Sequence, residues 1–322
     1  MWKFIIRRIA IMIPQLFILS ILIFVLAKAM PGNALTSVLA SHPNIAQSSI
    51  QDQEKMLGLN EPLPVQYWHW LVGIFHGNLG VSFIHQTSVI ALIGDRLQNT
   101  LLLSFCILIV SYLIAIPLGI FSGRWENSLL DRAITGYTYV SYAMPIFVFA
   151  IFLLFIFSFW LNWFPAGGSV DPSVNPWTFA YAASLAQHLV LPTLAGAVLS
   201  TATTIQYLKS EIIETKMKDF VNTARSKGVP ESRVYTRHIL RNSFLPIAAF
   251  LGYDITGLIG GSVFLETIFS YPGLGQLFVQ SIDQRDFAVV TALVMISGLA
   301  ALLGTLLSDI ILSLVDPRIR IE

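Results

Sequence analysis

Residues Thr100–Ser122 read TLLLSFCILIVSYLIAIPLGIFS, an apolar run without one charged side chain. A helix of about 20 residues at roughly 1.5 Å per residue crosses the hydrocarbon of a bilayer, so this stretch reads as a membrane span. Further runs of the same kind are Ile9–Met30, Ala133–Phe164, His188–Leu208, Phe244–Phe264 and Ala288–Leu314, which makes six candidate transmembrane helices. The composition agrees, with 55% apolar and 11% charged residues. A soluble domain carries about 25% charged residues, so a soluble protein is excluded. The net charge of +1, from 19 basic and 18 acidic side chains, gives no global field for nucleic acid. The single cysteine, Cys106, lies inside the run quoted above, which excludes a disulfide framework and a cysteine metal site.

The third run is too long for one perpendicular crossing, and Pro145 within it predicts a kink, a tilt or a segment that leaves the bilayer early. Pro14, Pro117, Pro192 and Pro246 interrupt four of the others, as a bundle tolerates when neighbouring helices re-satisfy the freed carbonyls. Basic residues cluster at Lys3, Arg7 and Arg8, at Arg124 and Arg132, and at Arg318 and Arg320. Lys209, Lys216, Lys218, Arg225, Lys227, Arg233, Arg237 and Arg241 lie between the fourth and fifth runs, whereas the alternate connections offer Lys28, Lys55, Arg96 and Arg285. By the positive-inside rule both termini are cytoplasmic. The first run is longer than a signal-peptide core and meets Pro31-Gly32-Asn33 where a cleavage site would show small residues, so it reads as an uncleaved span. The chain divides into 1–98, the first transmembrane helix with an extracytoplasmic segment, and 99–322, a five-helix core with a cytoplasmic loop at 209–241.

In the outer segment Tyr67, Trp68 and Trp70, with Phe75 and Phe83, read as an interfacial aromatic belt on short surface helices. His42, His69, His76 and His85 lack metal-ligand spacing and read as solvated or interfacial. No G-x-x-x-x-G-K-[ST] or H-E-x-x-H motif occurs, so neither nucleotide hydrolysis nor zinc protease chemistry is expected. Gly260-Gly261-Ser262 has no histidine on the sixth run to serve a serine nucleophile. Gly257 and Gly261 read instead as a small-xxx-small packing pair. No catalytic residue and no metal site are assigned.

The polar exception is the loop from Lys209 to Arg241. Over Asp219–Asn242 it reads DFVNTARSKGVPESRVYTRHILRN. Asp219 is suited to cap a short helix through Ala224, and Gly228 to stop it in the left-handed conformation. Val229-Pro230 opens a turn, with Pro230 and Glu231 in the first turn of a second helix. Such a knob suits docking to a partner that passes force to helices four and five. Composition alone slightly favours the other reading, a basic surface helix attracted to anionic lipid.

Phe220-Val221-x-Thr223-Ala224-Arg225-x-Lys227-Gly228, followed by Arg237-His238-x-Leu240-Arg241-Asn242-x-x-Leu245-Pro246, resembles the EAA loop of binding-protein-dependent ABC importer permeases. More narrowly, it resembles the B-type subunit of the oligopeptide/dipeptide/nickel group. Supporting motifs are Pro31-Gly32-Asn33, Leu57-Gly58-Leu59, Pro62-Leu63-Pro64-Val65-Gln66-Tyr67, Gly77-Asn78-Leu79-Gly80, Pro272-Gly273-Leu274-Gly275, Arg285-Asp286-Phe287 and Asp316-Pro317-Arg318-Ile319-Arg320. Asn222-Thr223-Ala224 stands where the superfamily has Glu-Ala-Ala, and the interval from Gly228 to Pro246 is longer than the general consensus; both fit the peptide subgroup.

The resemblance implies an all-α, type I (MetI-like) permease of six transmembrane helices with both termini inside, in the bacterial inner membrane. It implies a C-type second permease, two ATP-binding subunits that hold ATP and Mg, and an extracytoplasmic peptide-binding protein as partners, alongside membrane lipid. This chain itself would hold no cofactor and would not be an enzyme. Asn222, Thr223, Ala224, Arg225, Lys227, Gly228, Val229 and Pro230 would form the ATPase-coupling element. Asp254, near the middle of helix five, is a candidate for the translocation path or for a buried contact with the second permease. Gln206, Thr203 and Thr204 are candidates for the same path, with threonine bonding back to its own helix as the alternative. Asp309 reads as interfacial. An oligopeptide cargo is the leading reading, with dipeptide or nickel as alternatives. A self-contained secondary transporter would show inverted repeats and ion-coupling residues at the midplane, and neither is seen.

Overall fold

Proline and glycine decide where the apolar runs begin and end. The computed structural model describes residues 2–29, 61–82, 84–260 and 262–315. The motifs at 31–33, 57–59 and 316–320, and also His42, Lys55, Phe83 and Gly261, lie outside the described residues. The first run forms α1 (Trp2–Ala29) and is followed by α2 (Leu63–Phe75). Two short antiparallel strands, β1 (Val81–Ser82) and β2 (Thr87–Ser88), pair Val81 with Ser88 and Ser82 with Thr87. They lead into α3 (Val89–Arg124). This helix starts well before the apolar run at Thr100, because Ser88 caps it and Val89, Leu92 and Ile93 are buried against Leu274, Leu277 and Val289. The boundary expected at residue 98 therefore falls inside a continuous helix.

The third run is a broken pair. The helix α4 (Leu129–Ala143) is capped by Ser128, which accepts from the Asp131 amide at 3.1 Å. It stops where Pro145 forces Met144 into extended geometry (φ −91, ψ 117). The next helix, α5 (Ile146–Leu153), continues into a π-helical run Leu154–Trp160 and departs at 102° from α4. Then come α6 (Phe179–Lys216), capped by Thr178, and α7 (Asp219–Ser226). Three consecutive pieces, Glu231–Arg233, the π-helical Val234–Leu240 and Arg241–Ser243, are taken together as α8. The chain closes with α9 (Leu245–Gly260), α10 (Val263–Ile268), α11 (Leu274–Asp283) and α12 (Phe287–Val315).

Among the described residues α1, α3, α6 and α12 are long and apolar enough to cross a membrane, and the bent α4–α5 pair makes a fifth if it is one span. At 16 residues, α9 is only about 24 Å long. The structure thus gives at least four apolar spans in a mostly helical bundle.

Close approach holds the bundle together. At Gly123 of α3 an added Cβ would sit 2.8 Å from the Ile212 Cβ of α6. At Gly252 of α9 it would sit 2.7 Å from the Ser308 Cα of α12. The small-residue contact expected at Gly257 is therefore made by Gly252. The two positions are about 140° apart around a helix, and among the described residues an added Cβ at Gly257 meets nothing within 4 Å. Asp309, expected at the interface, pairs with Arg8 of α1 at 3.1 Å.

The aromatic belt divides. Tyr67 and Trp70 of α2 pack on Phe24 of α1 with centroids 5.4 and 5.8 Å away, and the Tyr67 hydroxyl lies 2.7 Å from Ser20 Oγ. Trp68 and Phe75 stay exposed. The Gly77-Asn78-Leu79-Gly80 motif ends α2. Gly77 adopts φ +74, the Asn78 amide bonds to the Gly73 carbonyl at 2.9 Å, and the Gly77 amide to Ile74 at 3.0 Å. This is the Schellman arrangement that satisfies the last carbonyls of a helix. Just beyond it, Ser82 Oγ donates to the buried carboxylate of Asp286.

The Pro272-Gly273-Leu274-Gly275 motif also serves a helix end. Buried Glu266 of α10 accepts from the amides of Gly275 (2.6 Å) and Gln276 (3.1 Å) in the first turn of α11, and from Thr100 Oγ1 at 2.9 Å. Thr100 Oγ1 in turn accepts from the Leu274 amide at 2.7 Å. Gly273 is needed for space, since a Cβ there would overlap both the Glu266 carboxylate and Thr100 Oγ1. Gly273→Ala is expected to destabilise the protein by about 1–3 kcal/mol through overpacking. Glu266→Gln is expected to do so by a similar amount, about 1–3 kcal/mol, through a buried donor facing donors. Thermal unfolding in detergent checks both, and unchanged midpoints would show that this cap does not anchor α11.

Candidate functional site

The loop after α6 is built from two helix ends and a turn. Lys218 (φ −73, ψ 144) occupies the N-cap of α7, so Asp219 lies in the first turn and does not cap. Its carboxylate is still favourably placed against the helix dipole. The helix runs through Ser226, past the expected end at Ala224. Gly228 then adopts φ +71, with its amide on the Arg225 carbonyl at 2.9 Å and the Val229 amide on the Ala224 carbonyl at 3.2 Å. This is again a Schellman stop. Pro230 caps α8, its carbonyl accepting from Arg233 at 2.8 Å and Val234 at 3.0 Å.

A forked ion pair spans the turn: Arg225 Nη2 to Glu231 Oε1 at 2.7 Å and Nε to Oε2 at 3.1 Å. The Arg225 guanidinium holds the Glu231 carboxyl below the usual carboxylate range, and that same bond raises Arg225. Both groups are exposed, so the pair contributes geometry more than stability.

Underneath, Val221 and Ala224 join Val234, Tyr235 and Ile239 of α8 on Leu208 and Ile212 of α6. Ala224 is only 7% exposed, so it seats the knob on its own chain and is not part of the outward face. Val229 is half-buried, while Asn222, Thr223, Arg225, Lys227, Gly228 and Pro230 face outward. Met217 and Phe220 add exposed apolar surface beside them.

Two of the basic side chains expected to attract lipid are used internally. Lys216 Nζ donates to the carbonyl of Gly123 and, at 2.9 Å, to that of Arg124, closing the C-terminus of α3. Lys209 pairs with the buried Asp131 at 2.5 Å. Arg124 lies over the rings of Tyr235 (4.6 Å) and Trp125 (4.8 Å). The loop is thereby tied to the end of α3 as well as to α6.

A cavity of about 550 Å³ lies between α3, α6 and α9. Asp254, Thr203 and Thr204 line it together, and the Tyr112 hydroxyl donates to Asp254 Oδ2 at 2.7 Å. Beside them Ser111 Oγ and Ser200 Oγ lie 2.7 Å apart. Gln206 is elsewhere, its amide on Thr138 Oγ1 of α4 at 2.5 Å. On α6 it is Thr201 that bonds back to its own helix, on the Val198 carbonyl at 2.7 Å. Sequence reasoning missed Tyr112, Ser111 and Ser200; a tyrosine in the middle of an apolar run was the available signal. His69 pairs with Glu61 at 3.2 Å and His76 with the Val72 carbonyl at 2.8 Å, so these histidines take separate partners.

A chain of the methionine ABC transporter MetNI, solved in inward-facing conformations, superposes with a TM-score of 0.51 at 15% identity, covering 70% of this chain and 97% of that one. The likeness shows a MetI-like permease fold. Similar sequences include the oligopeptide transport system permease protein AppB of Bacillus subtilis, 38% identical over 99% of this chain and 100% of that protein. A putative peptide permease protein of Brucella suis biovar 1 is 34% identical over the full length of both chains. The glutathione transport system permease protein GsiC of Salmonella typhi is 30% identical over 99% of each. Residues 1–104 match the N-terminal membrane component of binding-protein-dependent transport systems, and residues 115–321 match their inner membrane component. This chain is thus a multi-pass protein of the bacterial cell membrane, a permease subunit and not itself an enzyme, and it belongs to the family of binding-protein-dependent transport system inner membrane components.

Proposed function

We propose that this chain is the B-type permease of an ATP-driven oligopeptide importer. It spans the membrane six times, through α1, α3, the bent α4–α5 pair, α6, α9 and α12, with both termini in the cytoplasm. The first helix and the segment to residue 98 flank the core of 99–322. A C-type permease completes the path, two ATPase subunits bind ATP and Mg, and an extracytoplasmic protein delivers the peptide. The cargo is inferred from relatives named as peptide permeases. The family membership speaks against a self-contained secondary transporter.

The observation that carries the reading is the knob made by α7, Gly228 and the start of α8. Its inner side is bolted to the ends of α3 and α6, and its outer side is a polar face with Asn222, Thr223, Arg225 and Lys227 beside exposed Met217 and Phe220. Such a face suits the groove of an ATPase. Motion of the ATPases then reaches α3 and α6, the helices that line the cavity with α9. Asp254, Thr203 and Thr204 are proposed to line the peptide path there, and Gln206 to act from behind it through α4.

Gly228→Val tests docking against lipid binding. It removes no charge and its Cβ meets nothing within 4 Å among the described residues, but a side chain at φ +71 costs roughly 1–2 kcal/mol and adds bulk on the outward face. Peptide-stimulated ATP hydrolysis by the assembled importer is expected to fall at least about tenfold, from that strain and the added bulk together, with insertion retained. Arg233→Gln with Arg237→Gln, which weakens lipid attraction by roughly 1 kcal/mol per charge, is expected to leave hydrolysis near wild type. The reverse pattern would make the loop a lipid anchor. Lys216→Met uncaps α3 and is expected to lower coupling and to raise proteolysis within 209–241; unchanged proteolysis would contradict its capping role.

A further inference from the structure

We propose that the Asp254 carboxylate in the cavity between α3, α6 and α9 is a binding site for the α-ammonium group of the transported peptide. This rests on the reading of the chain as a peptide permease. A path that passes peptides of many sequences has only the groups common to all of them to hold: backbone amides, backbone carbonyls and the two termini. The lining matches that set. Thr203, Thr204, Ser200 and Ser111 offer hydroxyls, which both donate and accept, and Asp254 is the only charged side chain among the described residues that line the cavity.

Geometry leaves the carboxylate available. Tyr112 donates to Oδ2 at 2.7 Å, which fixes the orientation of the group and uses one of about four acceptor positions on a carboxylate. Among the described residues no lysine, arginine or histidine pairs with it. Walls of Ile107, Leu108 and Leu258 lower the local dielectric, where a lone charge is costly and an arriving opposite charge is strongly favoured. The same charge repels the peptide's C-terminal carboxylate, so the peptide meets this site amino end first. The site reads no side chain, in keeping with a cargo defined by being a peptide.

The experiment compares uptake of trialanine and of N-acetyltrialanine by the complete importer in liposomes, each peptide saturating the binding protein so that capture does not discriminate. Wild type is expected to favour the free amino terminus by about tenfold, the scale of one hydrogen bond to a charged group. Asp254→Asn is expected to reduce the ratio to near one. Tyr112→Phe removes the hydrogen bond that orients the carboxylate, so the ratio is expected to fall part of the way toward one. Equal uptake of the two peptides by wild type, a preserved ratio in Asp254→Asn, or an unchanged ratio in Tyr112→Phe would overturn the proposal. Failure of the Asp254→Asn subunit to assemble would assign the carboxylate to the contact with the second permease and overturn it equally. Uptake of neither peptide by the wild-type importer would overturn the peptide reading itself, and the proposal with it.

Discussion

Every helix end leaves amides or carbonyls without a partner inside the helix, and where such an end is buried only another part of the chain can satisfy them. Much of what is peculiar in this sequence answers that constraint. Ser88, Ser128 and Thr178 each accept from the first turn of the helix they precede. Gly77 and Gly228 close α2 and α7 by the same left-handed stop. Lys216 reaches from α6 to the last carbonyls of α3, and Glu266 reaches from α10 to the first amides of α11. The short motifs scattered along the chain are largely the fittings of helix ends.

Those fittings also bring distant parts of the chain together. Thr100, in the run that marks the chain as a membrane protein, touches Glu266 and the Leu274 amide. Ser82, just after the glycine stop of α2, touches Asp286 next to the start of α12. Val89, Leu92 and Ile93 pack on Leu274, Leu277 and Val289. One end of the bundle is thus closed by contacts between its early and late segments, and the other end is the knob of α7 and α8.

The membrane class, the break at Pro145, the glycine stop at 228 and the polar loop were legible because each depends on local chemistry: apolar content, a missing amide, a permitted positive φ. What depends on the direction of a side chain was not. Gln206 and Thr204 are two residues apart, roughly 200° around a helix, and so they face different neighbours. Ala224 lies in the middle of the coupling motif but points inward, and Lys216 belongs to α3 as much as to its own loop. Hydropathy did not reveal the early start of α3 either, because its first turns are buried by residues about 180 positions later in the chain.

The length of α6 has a mechanical consequence. At 38 residues it is a rod of about 57 Å, fastened at its Lys216 end to the knob and at its Thr178 end to the connection from α5. A rod of that length turns angle into distance: a tilt of about 5° pivoting at the loop carries the far end about 5 Å. The Gly123–Ile212 contact lies close to the pivot, where displacement is smallest, while the polar residues Thr203 and Ser200 lie farther along the arm. The packing that must not separate is therefore at the fulcrum, and the groups that face the cavity are where the stroke grows.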